Sequence, residues 1–169
     1  MADFHYSAKG NAFHLHDYGI DAWTNATFFL GLAEWSSIAR EPEPYREWLR
    51  EKGEQMNWQL PRNFIHHPQY GMYHADELCI GQFYLAMYDC YQDKKMMEDT
   101  RQRLDAIIAN PPKPDMSYLN KQAWTWCDAL FMAPPVYARM AAITKESKYT
   151  DFMDQQFRNT CNHLYSPAD

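Results

Sequence analysis

The sequence is poor in glycine, with only 6 in 169 residues. A turn-rich all-β fold needs more, which argues against that class. There is no run of lysine or arginine, and the formal net charge is −6. Nucleic-acid binding needs a basic surface, and so does adhesion to an anionic membrane, so neither partner is expected. No apolar stretch is long enough to span a bilayer. Met1 is followed at once by "ADFHYSAKG", without a secretory leader. The expectation is a cytoplasmic protein, or a periplasmic one whose leader has been removed. Cys79, Cys90, Cys127 and Cys161 are scattered and form no CxxC pair. They read as buried free thiols of a reducing compartment. His66-His67 and the "HLHD" at 14 to 17 lack zinc-site spacing such as HExxH, so no metal is expected.

What is there is aromatic: 6 Trp, 12 Tyr and 9 Phe. The length suits one domain, taken as residues 1–169. Three segments resemble one another: "WTNATFFLGLAEWSSIAREPEPYREWLREKGEQM", "ADELCIGQFYLAMYDCYQDKKMMEDTRQRLDAII" and "CDALFMAPPVYARMAAITKESKYTDFMDQQFRNT". Each opens on an apolar run, turns through a short polar stretch, and continues with a thinner apolar stripe at helical spacing. In the last, Tyr149, Phe152, Met153, Gln156, Phe157, Thr160 and Leu164 share a face. The spacing predicts three α-hairpins, about 21–56, 76–110 and 128–164. In each, the first helix is buried on most sides and the second has one wet face. A repeat near 52 residues is too long for tetratricopeptide or HEAT-type units. It suits a ring of inner helices inside a ring of outer ones.

The connections between hairpins, 57–75 and 111–123, are long and rich in Pro, Asn, His and aromatics. Long irregular loops in a compact domain are usually functional. Both lead into inner helices, at whose starts stand Asp76 and Asp128. An aspartate there is equally well explained as an N-cap. Two of them at matching repeat positions, beside aromatic side chains, favour chemistry on a sugar. Indole faces stack on the C–H faces of a pyranose. A carboxyl near Trp124 and Trp126 should be desolvated and its pKa raised, fit for general acid work. Trp126 is the favoured platform, with Trp124, Trp23 and His74 as further candidates; for Trp23 and His74 a structural role competes. Gly31 and Gly81 are expected to permit close helix packing, and Pro134 and Pro135 to sit in the first turn of an inner helix.

"WTNATFFLGL", "YHADELCIGQFYLAMY", "LDAIIANPP" and above all "WTWCDALFMAPP" resemble glycoside hydrolase family 105, the unsaturated rhamnogalacturonyl hydrolases, close to family 88. The likeness runs from about Trp23 to Tyr165. The "WxDxLFM" motif is kept, while the "HADD"-type motif reads His74-Ala75-Asp76-Glu77, with Glu for the commoner second Asp. The resemblance implies an all-α fold, an (α/α)6 toroid of which this chain carries about three hairpins, or half. It implies hydration of the double bond in a 4,5-unsaturated uronic acid at the end of a lyase-generated oligosaccharide. By analogy Asp128 protonates C4 and then activates water for C5, while Asp76 orients ring or water, and no cofactor takes part. Three explanations of the half ring stand open: a truncated chain, a gene fragment, or a half that pairs with another chain or with itself. The alternatives to this activity are a family 88 glucuronyl hydrolase and a non-catalytic helical scaffold or sugar-binding fragment.

Overall fold

A computed structural model of the chain describes residues 19–62, 71–117 and 122–165. The histidines at 14, 16, 66 and 67, weighed above for a metal, lie outside them. The described residues are helices joined by turns and irregular segments. Helix α1 is Trp23–Ile38 and α2 is Glu43–Gln55. A 3-10 turn, Gly71–Tyr73, leads into α3, Ala75–Tyr91, and then α4, Lys95–Ala109. The third unit has a short α5, Ala129–Met132, followed by α6, Pro134–Thr144, and α7, Ser147–Leu164. The pairs α1–α2, α3–α4 and α6–α7 pack as hairpins. Helix α3 also packs on α1 on one side and on α5 and α6 on the other, so the inner helices form one layer. Helices α2, α4 and α7 form the outer layer. This is an all-α fold of hairpin-like pairs, consistent with half of an (α/α) toroid.

The hydrophobic pattern explains the layering. Every residue from Leu78 to Met87 is buried, because α3 has inner neighbours on both sides and α4 behind it. Outer helices bury one stripe each, such as Met96, Met97, Thr100, Leu104 and Ile107 on α4. On α7 the stripe is narrower than the sequence suggests. Tyr149, Phe152, Gln156 and Thr160 are buried, whereas Phe157 and Leu164 are exposed. An aromatic cluster fills the middle: Phe29 meets Phe83 at 5.2 Å between ring centroids, and Trp58 meets Tyr84 at 5.5 Å. Such pairs add roughly 0.5–1.5 kcal/mol each beyond the area they bury.

The two inner hairpin turns on α3 and α6 close through left-handed residues, Gln92 (φ 54°) and Lys145 (φ 62°). The amide of Gln92 donates to the Tyr88 carbonyl and that of Lys145 to Ala141, satisfying carbonyls that the helix ends leave open. Gly81 permits the close approach expected of it: a Cβ there would stand 3.1 Å from Val136 and 3.2 Å from Thr100. Gly31 does not. It faces open space on an exposed side of α1, so helix packing is not its reason. Gly53, which drew no attention in the sequence, is the tightest contact. A Cβ there would lie 2.1 Å from the Trp58 ring.

The break between α5 and α6 has a chemical cause. Pro134 and Pro135 carry no N–H, so they cannot bond back to the preceding turn, and they sit where helices tolerate them, at the start of α6. The carbonyls freed at Phe131 and Met132 are taken up by Gln82 of α3, whose Nε2 donates to them at 2.7 and 3.1 Å. This fixes the short α5, and the residue before it, against the central helix.

Candidate active site

Three inner helices begin at the same end of the layer, and acidic groups gather there. Asp76 lies in the first turn of α3, half-buried. Asp128 is the residue preceding α5 and is exposed. Neither plays the part of a helix cap. Asp128 occupies the cap position but makes no side-chain cap hydrogen bond, and at α3 the cap position belongs to His74. The two carboxylates are close enough that the charge of Asp128 acts on Asp76. Burial first, and Asp128 second, push the Asp76 carboxyl up to about 6. The partial positive charge of the α3 N-terminus favours ionisation, so desolvation and like-charge repulsion outweigh it here.

Asp76 is thus a desolvated carboxyl. Of the two tryptophans expected beside an acid, the packing sets one apart from the other. Trp124 is only 5% exposed. Its ring packs against Tyr137 and edge-on to Phe152 in the third hairpin, and its carbonyl accepts a hydrogen bond from Thr160 Oγ1 at 2.6 Å. An indole so enclosed has no open face for a sugar, and it is a core residue rather than a platform. Trp126, two residues before Asp128, is 48% exposed, and Trp23, the first residue of α1, is 42% exposed. Both keep surface for stacking. His74 stands directly before α3, its Nδ1 3.9 Å from Asp76 Oδ2.

Two further acids, to which the sequence pattern assigned no role, stand in the same region. Glu77 follows Asp76 on α3 and is half-buried. Burial, then the charges of Asp21 and Asp76, push its carboxyl up to about 7, while Arg103 of α4 pulls in the opposite direction. Asp21 lies just ahead of α1, and burial raises its carboxyl too. The local signal for Asp21 was its place two residues before Trp23, in "DAW". In the same region Asn25 is buried and its amide donates to the Gly19 carbonyl at 2.9 Å, tying the α1 start into a compact turn.

The arrangement offers paired carboxylates with different environments, one exposed and one desolvated, with the exposed Trp126 two residues before Asp128. Such a pair can move a proton to and from a bound substrate near neutral pH. Among the described residues no group of three His, Cys, Asp or Glu is placed to hold a metal ion. Nor is any helix among them long and apolar enough to cross a membrane.

The chain is 26% identical over 158 residues to an unsaturated 3S-rhamnoglycuronyl hydrolase of Alteromonas sp. (strain LOR), covering 85% of this chain and 36% of that protein. It is 30% identical over 154 residues to a protein of the same description from Formosa agariphila, covering 87% of this chain and 38% of the relative. The chain therefore spans well under half the length of these curated relatives. Among solved structures, Polysaccharide Lyase BACCELL_00875 superposes with a TM-score of 0.74 at 20% identity, over 94% of this chain and 45% of that one. At that identity the likeness is one of fold. The model of Glycosyl Hydrolase Family 88 matches residues 3–169. The motifs that resemble family 105 and its close relative lie within this match, and the chain belongs to Glycosyl Hydrolase Family 88.

Proposed function

We propose that this chain carries the carboxylate pair of a hydrolase acting on oligosaccharides that end in a 4,5-unsaturated uronic acid. The observation that supports this most directly is the coupling of Asp76 to Asp128 at the shared mouth of the inner helices. The curated relatives are described as acting on unsaturated rhamnoglycuronyl substrates. Rhamnose beside the unsaturated residue is accordingly the substrate class put forward here. It also belongs to the rhamnogalacturonyl chemistry implied by the motifs.

In the reaction, Asp128 takes up a proton from solvent at the exposed mouth and delivers it to C4 of the vinyl ether, and the electron deficit falls on C5, stabilised by the ring oxygen. Water adds at C5 and returns its proton to Asp128. The hemiketal opens to a ketone, C1 becomes a hemiacetal, and the remaining sugar leaves as an alcohol. Asp76, titrating near 6, is ionised for most molecules at neutral pH. It accepts a hydrogen bond from the water or a ring hydroxyl, and its negative charge stabilises the positive charge developing at C5. Exposed Trp126 and Trp23 supply apolar faces for the sugar rings. The double bond absorbs in the ultraviolet and its loss is the direct assay. The full-length protein should consume the absorbance of oligosaccharides prepared with a polysaccharide lyase and leave saturated glycosides intact. Hydrolysis of saturated glycosides with no effect on the unsaturated ones would overturn the proposal.

A further inference from the structure

We propose that Thr160 of α7 is a positioning residue for Asp128 and Trp126: it anchors the upstream end of the segment that carries them, as Gln82 of α3 anchors the downstream end. The inference rests on the roles given to Asp128 and Trp126 above. Burial changes abruptly along this segment. Ala123, Trp124 and Thr125 are buried, Trp126, Cys127 and Asp128 are exposed, and Ala129, Met132 and Ala133 are buried again. Three exposed residues are thus slung between two buried footings. Asp128 makes no side-chain cap hydrogen bond that would fix it locally. Its place is therefore set by the footings.

Thr160 makes the upstream footing. It is fully buried on the inward stripe of α7, and its hydroxyl donates to the Trp124 carbonyl at 2.6 Å. The same Oγ1 lies 3.1 Å from the Gln156 carbonyl, one turn back on its own helix. A hydroxyl has one proton to give. Inside a helix the common recipient is that carbonyl four residues back. Here the shorter contact is to the loop instead. The Trp124 ring adds a second hold on the same hairpin, 5.9 Å from the Tyr137 ring of α6 and 6.5 Å from the Phe152 ring of α7 between centroids.

The downstream footing stands on a different element. Gln82 serves the carbonyls of Phe131 and Met132. The amides of these same two residues donate to the Asp128 carbonyl at 2.9 and 3.1 Å. Gln82 and Asp76 are both on α3. The downstream footing therefore refers Asp128 to the helix that carries Asp76, and the upstream one stops the segment from pivoting about it. With Thr160 released, Trp126 and Asp128 would swing together while Asp76 stayed in place. Proton delivery needs the acid held in a near-attack position against the bound ring. A hydroxyl in the outer layer thus sets the geometry of a carboxylate at the mouth.

The test compares wild type, Thr160→Val, Thr160→Ser and Tyr149→Phe in the full-length protein. Valine keeps the shape of threonine and removes the donor, whereas serine keeps the donor. Tyr149→Phe is the structural control, since it also removes one hydroxyl hydrogen bond from α7, that to Asp105 of α4 at 2.7 Å. One readout is kcat and KM on a lyase-generated unsaturated oligosaccharide, measured well below every melting temperature. The other is hydrogen exchange of the amides from Ala129 to Met132, which bond back to the carbonyls of Trp126, Cys127 and Asp128 and need no activity to be followed. Thr160→Val should lower kcat by about ten- to a hundredfold, the range for a reacting group displaced by up to about 1 Å. KM should rise with it, because Trp126 shares the segment. Exchange of these amides should quicken by about fivefold, the effect of one net hydrogen bond on a local opening. Thr160→Ser should stay near wild type, and Tyr149→Phe should leave both readouts unchanged whatever its melting temperature. Thr160→Ala, read against the same controls, takes the place of Thr160→Val if the latter does not fold. Wild-type kinetics and exchange in Thr160→Val would overturn the inference. So would equal losses in Thr160→Val and Tyr149→Phe. If exchange quickens in Thr160→Val alone while the wild type turns over no unsaturated sugar, the anchor stands and the hydrolase reading fails.

Discussion

The Asp76 carboxyl titrates in the field of Asp128, 52 residues further along the chain, one hairpin away across the inner layer. The repeat brings them together: each follows a long irregular connection and stands at the start of an inner helix. Their environments differ, since Asp76 is half-buried and Asp128 exposed. In the proposed reaction that difference lets two chemically identical groups take different parts.

Asp128→Asn in the full-length enzyme should lower kcat by about 10²–10⁴-fold, the usual contribution of a general acid. The fold should survive, because Asp128 makes no side-chain cap bond. A stability change within about 0.5 kcal/mol, as for ordinary surface substitutions, is expected. Turnover near wild type in this variant would remove Asp128 from the mechanism.

Asp76 also makes stability depend on pH. Its folded-state value of about 6 lies above the ordinary 3.8, so the folded protein binds the proton more tightly than the unfolded chain. That contribution is fully present below about pH 4 and is lost as pH rises through about 6. Asp76→Asn should therefore stabilise the protein by roughly 1–3 kcal/mol at about pH 8 and by little at about pH 4. Denaturant titrations of both proteins at the two pH values test this. An equal difference at both would show that the carboxyl is not desolvated in the folded state.

The hairpins were legible in the sequence because each carries two periodicities, an apolar run for the inner helix and a one-faced stripe for the outer. Asp76 and Asp128 were legible because the repeat register marks them. What could not be read were contacts between elements distant in sequence. Trp124 looked like part of a mouth because it neighbours Trp126. Whether an indole two residues away points into Phe152 and Tyr137 or outward depends on the chain path of the loop, which no periodicity encodes. Arg103 drew no attention on α4, and only the strap from residue 58 to 62, whose Pro61 carbonyl it bonds, accounts for its burial. Gly31 and Gly81 are alike in sequence. The difference is that α3 has a helix on each side and α1 does not.

The two tryptophans should separate cleanly on substitution. Trp124→Ala should destabilise by about 3–5 kcal/mol, as for a large aromatic removed from a core. Trp126→Ala should leave the melting temperature nearly unchanged and raise KM for the oligosaccharide. Losing one stacked face is expected to raise it by about tenfold, on the order of 1 kcal/mol or somewhat more. Calorimetry and steady-state kinetics on the same two variants decide it. A Trp126 variant with wild-type KM would leave its exposure without a role in binding.

Gln82 couples core and site. Gln82→Leu keeps the volume but strands the Phe131 and Met132 carbonyls that it now serves. Buried acceptors left without a donor cost about 1–3 kcal/mol. Because these carbonyls close the turn that begins at Asp128, kcat should fall along with stability. Gln82→Glu, which cannot donate when ionised, should show the larger loss at high pH. Unchanged activity in Gln82→Leu would mean that α5 is held by its other contacts.

Association is the last consequence, and it follows from which helices lack a neighbour. On α1 the residues Trp23, Thr27, Gly31, Trp35 and Ile38 succeed one another along one exposed side, with Trp35 51% and Ile38 75% exposed. On the third unit Phe131, Phe157 and Leu164 are exposed as well. These are the two outer edges of the layer, since only α3 has inner helices on both sides. Apolar surface withdrawn from water is worth roughly 25 cal/mol per Å². Edges of several hundred Å² would therefore hold a partner, whether the remainder of a longer chain or a second copy meeting edge to edge about a twofold axis. We expect the isolated 169-residue chain to sediment as a dimer or larger species at micromolar concentration, and the pair Trp35→Glu and Ile38→Lys to return it towards the monomer without loss of helix. A compact monomer of the unmodified chain at tens of micromolar, a concentration at which an interface of standard size is occupied, would show that these side chains are covered in some other way.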